Sequence, residues 1–219
     1  MNKFYEINRI LQWIIALTML LVMLVIFTIW IKIVLYNPLG FFLIFLVAPF
    51  WQFLTTPFFK LIGLYDYLSP MLLVFGASDK KYDLHNGTSF DYLFMTGKNQ
   101  PRKQFRKKVF DYYLIGLLKI IERIENKSLS ENVVVRGSSY FFRDRTANEL
   151  GFKLSKTNMG EKINILANYL DLLWMYSFAQ GKIAFPNLNN IKTAEIKGTD
   201  LVANKAKLET LSSYLNRST

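Results

Sequence analysis

From Leu11 to Phe59 some fifty residues of mostly Leu, Ile, Val, Phe, Met and Trp carry one charge, Lys32. A run of this kind is a membrane insertion signal, and an integral membrane protein is expected. Its first arm, Leu11 to Ile31, has 21 residues and no charge, and crossing hydrocarbon as a helix takes roughly 20. The second arm, Phe41 to Phe59, is of similar length. Between them Asn37-Pro38-Leu39-Gly40 is turn chemistry, because a residue before proline avoids the helical region and glycine accepts positive φ. The pattern predicts a transmembrane helical hairpin. Trp13 and Trp30 near the ends of the first arm suit an interfacial aromatic belt, and Lys32 can snorkel beside Tyr36. The arm is too long for the apolar part of a signal peptide and lacks an Ala-x-Ala site, so it is expected to be retained as an anchor.

The second arm is interrupted by Pro49 and Pro57, with Gln52, Thr55 and Thr56 between them. A kinked or broken helix is expected, its polar residues bonding to carbonyls or neighbouring helices or else lining a site. Residues 61–77 are apolar but hold Asp66, Ser69 and Pro70. An interfacial or re-entrant segment fits them better than a third span.

The chain of 219 residues has room for this anchor, residues 1–77, and one further domain, residues 78–219. Its 27 Lys and Arg exceed its 16 Asp and Glu, a net charge of +11 carried mainly outside the apolar arms. Cations follow the anchor closely, while the hairpin loop has none. By the positive-inside rule the domain and both termini are expected in the cytoplasm, at a bacterial inner membrane. No cysteine is present, which excludes disulfides, thiolate catalysis and cysteine-based metal sites.

From Ser78 on the pattern predicts a mixed α/β or α+β cytoplasmic domain. Thr88 to Met95 is aromatic-rich and reads as a strand, weakened by Asp91. Pro101 opens a strong helix that ends near Asn126. Val133 to Phe142 is the best strand, Arg143 to Gly151 a short helix, and Phe152 to Lys156 a strand. Asn158 or Thr157 caps the next helix, which Gly181 stops, and Ile163, Leu166, Ala167, Leu170, Leu173, Trp174 and Phe178 form the apolar face expected to be buried. Ile191 to Lys197 reads as an edge strand, and Thr199 caps a last amphipathic helix.

Few residues offer chemistry. His85 is the only histidine, in Asp83-Leu84-His85-Asn86-Gly87-Thr88, a string without metal-ligand spacing that reads as a turn. No P-loop or dinucleotide fingerprint occurs, and no cofactor or metal is called for. Arg136-Gly137-Ser138-Ser139, followed by Arg143, places cations, a glycine and hydroxyls where a phosphate or acyl-phosphate could bind, or else marks a bulged, half-buried strand. The candidate catalytic residues are therefore His85, Arg136, Ser138 and Arg143. Lys98 to Lys108 has six cations and no acid at the start of a helix, where cations oppose the macrodipole. An external anion accounts for them, with Arg102, Lys103, Arg106, Lys107 and Lys108 as the candidate lipid-headgroup contacts. Nucleic acid is disfavoured, since aromatic platforms and nucleic-acid motifs are not recognisable.

Arg145-Thr146-Ala147-Asn148-Glu149-Leu150-Gly151-Phe152 resembles the ending of the N-acetyltransferases, in which a short helix runs into Leu-Gly-Phe and a strand. The similarity covers some eight residues. That family's acetyl-CoA loop, Arg or Gln followed by x-x-Gly-x-Gly or Ala, is absent, and two further helices follow where its fold is nearly finished. Two functions are compatible with these residues. One is an accessory or interaction subunit whose basic domain sits against the inner leaflet, with lipids and another membrane protein or a second copy as partners. The other is a small membrane-associated transferase acting on a lipid-linked or acyl substrate.

Overall fold

The computed structural model describes residues 3–95, 102–139 and 144–217. Asn8 caps α1 (Arg9–Tyr36) by accepting from the Ile10 N–H at 2.8 Å. The helix has 28 residues, about 42 Å at 1.5 Å per residue. Asn37 ends it, and a 3-10 turn, Pro38–Leu43, leads into α2 (Ile44–Leu61). The hairpin is closed by the Trp30 indole N–H, which donates to the Gly40 carbonyl at 3.1 Å. A Cβ on Gly40 would sit 2.7 Å from the Ile33 side chain, so only glycine lets the arms approach. Both arms are long and apolar enough to cross a membrane, and little of either is buried. Thr55 and Thr56 donate to the Trp51 and Gln52 carbonyls at 2.7 and 2.6 Å, the back-bonding expected beside proline.

Residues 61–77 do not lie apart from the domain. They form β1 (Tyr65–Ser69) and β2 (Leu72–Phe75), which pair antiparallel with each other. β2 pairs in turn with β3 (Lys81–Asn86), so a boundary drawn at 77 runs through the sheet. The alternation that reveals strands was hidden because both faces are covered. Asp66, the apparent interruption, pairs with Arg123 of α4. His85 and Asn86, read as a turn, are the last residues of β3.

Thr88 to Met95 is helix α3 (Ser89–Met95), not strand. The cause is a reciprocal cap: the Thr88 N–H donates to Asp91 Oδ2 at 2.9 Å and the Asp91 N–H reaches Thr88 Oγ1 at 3.5 Å. α4 (Arg102–Glu125) follows as expected and carries the chain across to β4 (Val134–Ser139), parallel to β3. Then come α5 (Asp144–Glu149), β5 (Lys153–Lys156), α6 (Met159–Ala167) and α7 (Tyr169–Gln180), the last two separated at Asn168. β6 (Lys192–Lys197), α8 (Gly198–Ala203) and α9 (Lys205–Arg217) complete the chain. Among the described residues the sheet has the order β1-β2-β3-β4-β6-β5. β6, expected at an edge, lies inside, and β5 is the edge.

One face of the sheet packs on α4 and α9. Val74, Val133, Val135, Leu114, Ile120, Ile121 and Leu208 form this core, each almost fully enclosed. The opposite face of β1 to β3 looks toward α2, which packs against β1, α3, α6 and α7. The end of the second arm thus belongs to the domain: Thr55, Thr56 and Pro57 are buried.

Candidate functional site

Where parallel strands β3 and β4 end, their backbones open a crevice, a place where α/β sheets commonly bind ligands. A cavity of about 540 Å³ lies there. Leu84, Phe110, Leu114, Leu150 and Met175 give it apolar walls. His85, Asn86, Ser138, Ser139, Asn164, Asn168 and Asp171 bring polar groups into it, and Arg106 borders it. A second cavity of about 550 Å³ lies between the sheet, α6 and the hairpin, lined by Phe27, Val47, Trp51, Leu73 and Phe75. Gln52, His85, Asn86, Asn164 and Asn168 border both. The two spaces therefore adjoin at these amide and imidazole groups, with apolar walls in the domain on one side and in the hairpin on the other.

Asp171 is the most unusual group in this lining. It is 5% exposed, and its Oδ2 has no hydrogen-bond partner. Burial disfavours the carboxylate and pushes its pKa up to about 6. The His85 ring is open to the cavity, yet crowding by protein holds its pKa below the ordinary imidazole value, with Asp83 acting in the other direction. Asn86 is held by the Tyr113 hydroxyl, which donates to its Oδ1.

The residues singled out from sequence separate into different roles. His85 and Ser138 line the cavity, but Arg136 does not: it is paired with Asp83 at 3.3 Å and with Glu161. Glu161 also accepts from Ser138 at 2.6 Å and from Thr193 at 3.2 Å. This cluster pins the start of α6 onto β4 and β6, so Arg136 and Ser138 are in the first place struts. Arg143 lies outside the described residues, as does Lys98. Of the basic run, Arg102 and Lys103 open α4 with side chains that are not described. Arg106 is exposed at the cavity border, and Lys108 lies 5.9 Å from the centre of the Tyr112 ring.

The sequence does not single out Asp171, Asn164 or Asn168, and it marks Gln52 only as a polar residue of the second arm that bonds to a neighbour or lines a site. A signal did exist in α6 and α7: polar residues recur at 164, 168 and 171, three and four apart. Of the expected apolar core face of the same helices, Ile163, Leu166, Leu170, Trp174 and Phe178 are exposed, while Ala167 and Leu173 are half-buried and the Phe178 ring packs edge-on against buried Phe105. Among the described residues no cluster of acidic or histidine side chains could hold a metal ion. No protein family, curated protein or solved structure matches this chain.

Proposed function

We propose that the protein is an integral membrane transferase acting on a lipid-linked or acyl substrate, with the α/β domain on the cytoplasmic side. The observation that carries this reading is the pair of adjoining cavities. An apolar space running from the hairpin to a cluster of polar groups at the ends of two parallel strands fits a molecule with a long chain and a polar head. The other function compatible with the sequence, an accessory or interaction subunit, would rest on exposed surface rather than on this interior. The resemblance at Arg145 to Phe152 points the same way, toward acyl groups, and α5 does run through Leu150-Gly151-Phe152 into β5.

In this reading the chain enters between α2 and α6, and the head reaches His85 and Asp171. His85, neutral at physiological pH, can accept or pass a proton, and Asp171 places a carboxyl in the same lining. Arg102, Lys103, Arg106, Lys107 and Lys108 are proposed to hold anionic headgroups beside the entry.

The test uses the full chain in mild detergent, with mass spectrometry of whatever co-purifies and titration with cis-parinaric acid, a fluorescent fatty acid. Saturable binding is expected, lost in Asn164→Trp, which fills the junction of the two cavities, without a fall in melting temperature. A wild-type protein that carries no chain-bearing molecule and shows no saturable binding overturns the reading.

A further inference from the structure

Helices α6 and α7 turn a row of large apolar residues outward. Met159, Ile163 and Leu166 in α6, and Leu170, Trp174 and Phe178 in α7, recur at steps of three and four residues, so each helix carries an apolar row. They are 78%, 58%, 50%, 37%, 41% and 43% exposed. Single exposed apolar residues are ordinary on a protein surface, but such rows mark a contact surface. Ile183 and Phe185 extend it, 81% and 69% exposed.

Charge on this surface has one sign. Between Met159 and Phe185 the acids are Glu161 and Asp171. Glu161 is bound to Arg136 and Ser138, and Asp171 is turned into the cavity. The cations of the same stretch, Lys162 and Lys182, are exposed. An outward face of apolar residues flanked by lysines complements anionic headgroups above acyl chains. Its place agrees, because α6 and α7 both pack against α2, so the stripe adjoins the exposed apolar surface of the hairpin.

We propose that the α6–α7 stripe lies in the bilayer interface, a second membrane contact beside the hairpin. The mouth between α2 and α6 then faces acyl chains, and a lipid reaches the cavity sideways without crossing water. The inference rests on the membrane reading above, and the test separates the two.

The chain has no cysteine, so single spin labels can be placed in the full protein without removing anything. Ile163→Cys and Trp174→Cys report on the stripe, Leu21→Cys on the hairpin, and Glu209→Cys, exposed on α9, on the aqueous side. In proteoliposomes of phosphatidylcholine and phosphatidylglycerol, collisions with oxygen should exceed those with a water-soluble nickel chelate at 21, 163 and 174. The reverse is expected at 209. If 163 and 174 behave like 209 while 21 stays in lipid, the stripe proposal is overturned and the hairpin reading stands. Should 21 also be in water, both fall. Labels at 163 and 174 that are immobilised and shielded from both quenchers mean that protein covers the stripe, a second copy or a partner, and this too overturns the proposal.

Discussion

The hydroxyl of Thr56, on the second apolar helix, lies 3.1 Å from that of Thr88, which heads α3. Through Thr88 it joins a buried network around Asp91, whose Oδ2 accepts the Thr88 N–H at 2.9 Å and the Tyr67 hydroxyl at 2.7 Å. Asp91 is fully buried. On the same side Lys60 stands over the rings of Tyr5 and Tyr67, at 3.5 and 4.3 Å from their centres. The base of the hairpin is therefore built into the domain rather than strung to it by a linker.

Thr88→Ala should lower stability by about 1–2 kcal/mol, the usual cost of an N-cap. Thr88→Ser should recover most of it. Apparent melting temperatures of the full chain in detergent check this, and equal values for all three proteins would rule out a structural role for the cap.

Asp171 sets a pH dependence. Its pKa of about 6 in the folded protein lies above the ordinary 3.8, so the folded state binds the proton more tightly than the unfolded one. This group's contribution to stability is then fully present below about pH 4 and is lost as pH rises toward 6, by about 3 kcal/mol at ~1.4 kcal/mol per unit. Asp171→Asn should remove this fall and be the more stable protein at pH 7. Parallel pH profiles for the two proteins would refute the assignment.

Glu161→Ala removes the acceptor shared by Arg136, Ser138 and Thr193. A loss of about 1.5–3 kcal/mol is expected, as for other hydrogen bonds to charged groups. Hydrogen exchange should speed up first in α6 and leave α4 unchanged. Uniform acceleration throughout the domain would mean that the cluster does not act as a local pin.

A fragment of residues 78–219 should fail to fold, although it contains everything the composition assigns to a soluble domain. It lacks β1 and β2, and with them Leu68, Leu72 and Val74 of the main core. Sharp amide dispersion in its NMR spectrum would contradict the core described above.

A reporter fused after Thr219 is expected in the cytoplasm, and one fused before Met1 on the same side, because two crossings return the chain to where it began. Opposite locations would exclude a two-span hairpin.

Much of the fold was legible. Pro101 with a period near 3.6 marked α4, β-branched residues marked β4, and the run from Asp144 to Lys156 read correctly as a short helix and a strand. α3 was misread because its aromatic residues suggest a strand, yet Thr88 and Asp91 stand three apart, the spacing of a capping box. Such a cap is a local bond, so the mistake was one of weight, not of missing information. The candidate site was legible only in part: His85 and Ser138 were named, whereas Asp171 lay hidden in a helix read for its apolar face.

Composition and local order by themselves determined the two long apolar arms, the turn between them and the alternation of helices and strands. These depend on side-chain hydropathy and backbone preference, which each residue carries wherever it is placed. Tertiary structure alone decided that residues 65–75 join the sheet, that β6 lies inside it, and that the polar edge of α6 and α7 turns inward. An amphipathic helix has two faces of definite character, but which one meets the protein depends on what stands opposite. Here a polar-lined cavity stands opposite, and it exists only once β3, β4, α4 and the hairpin have come together.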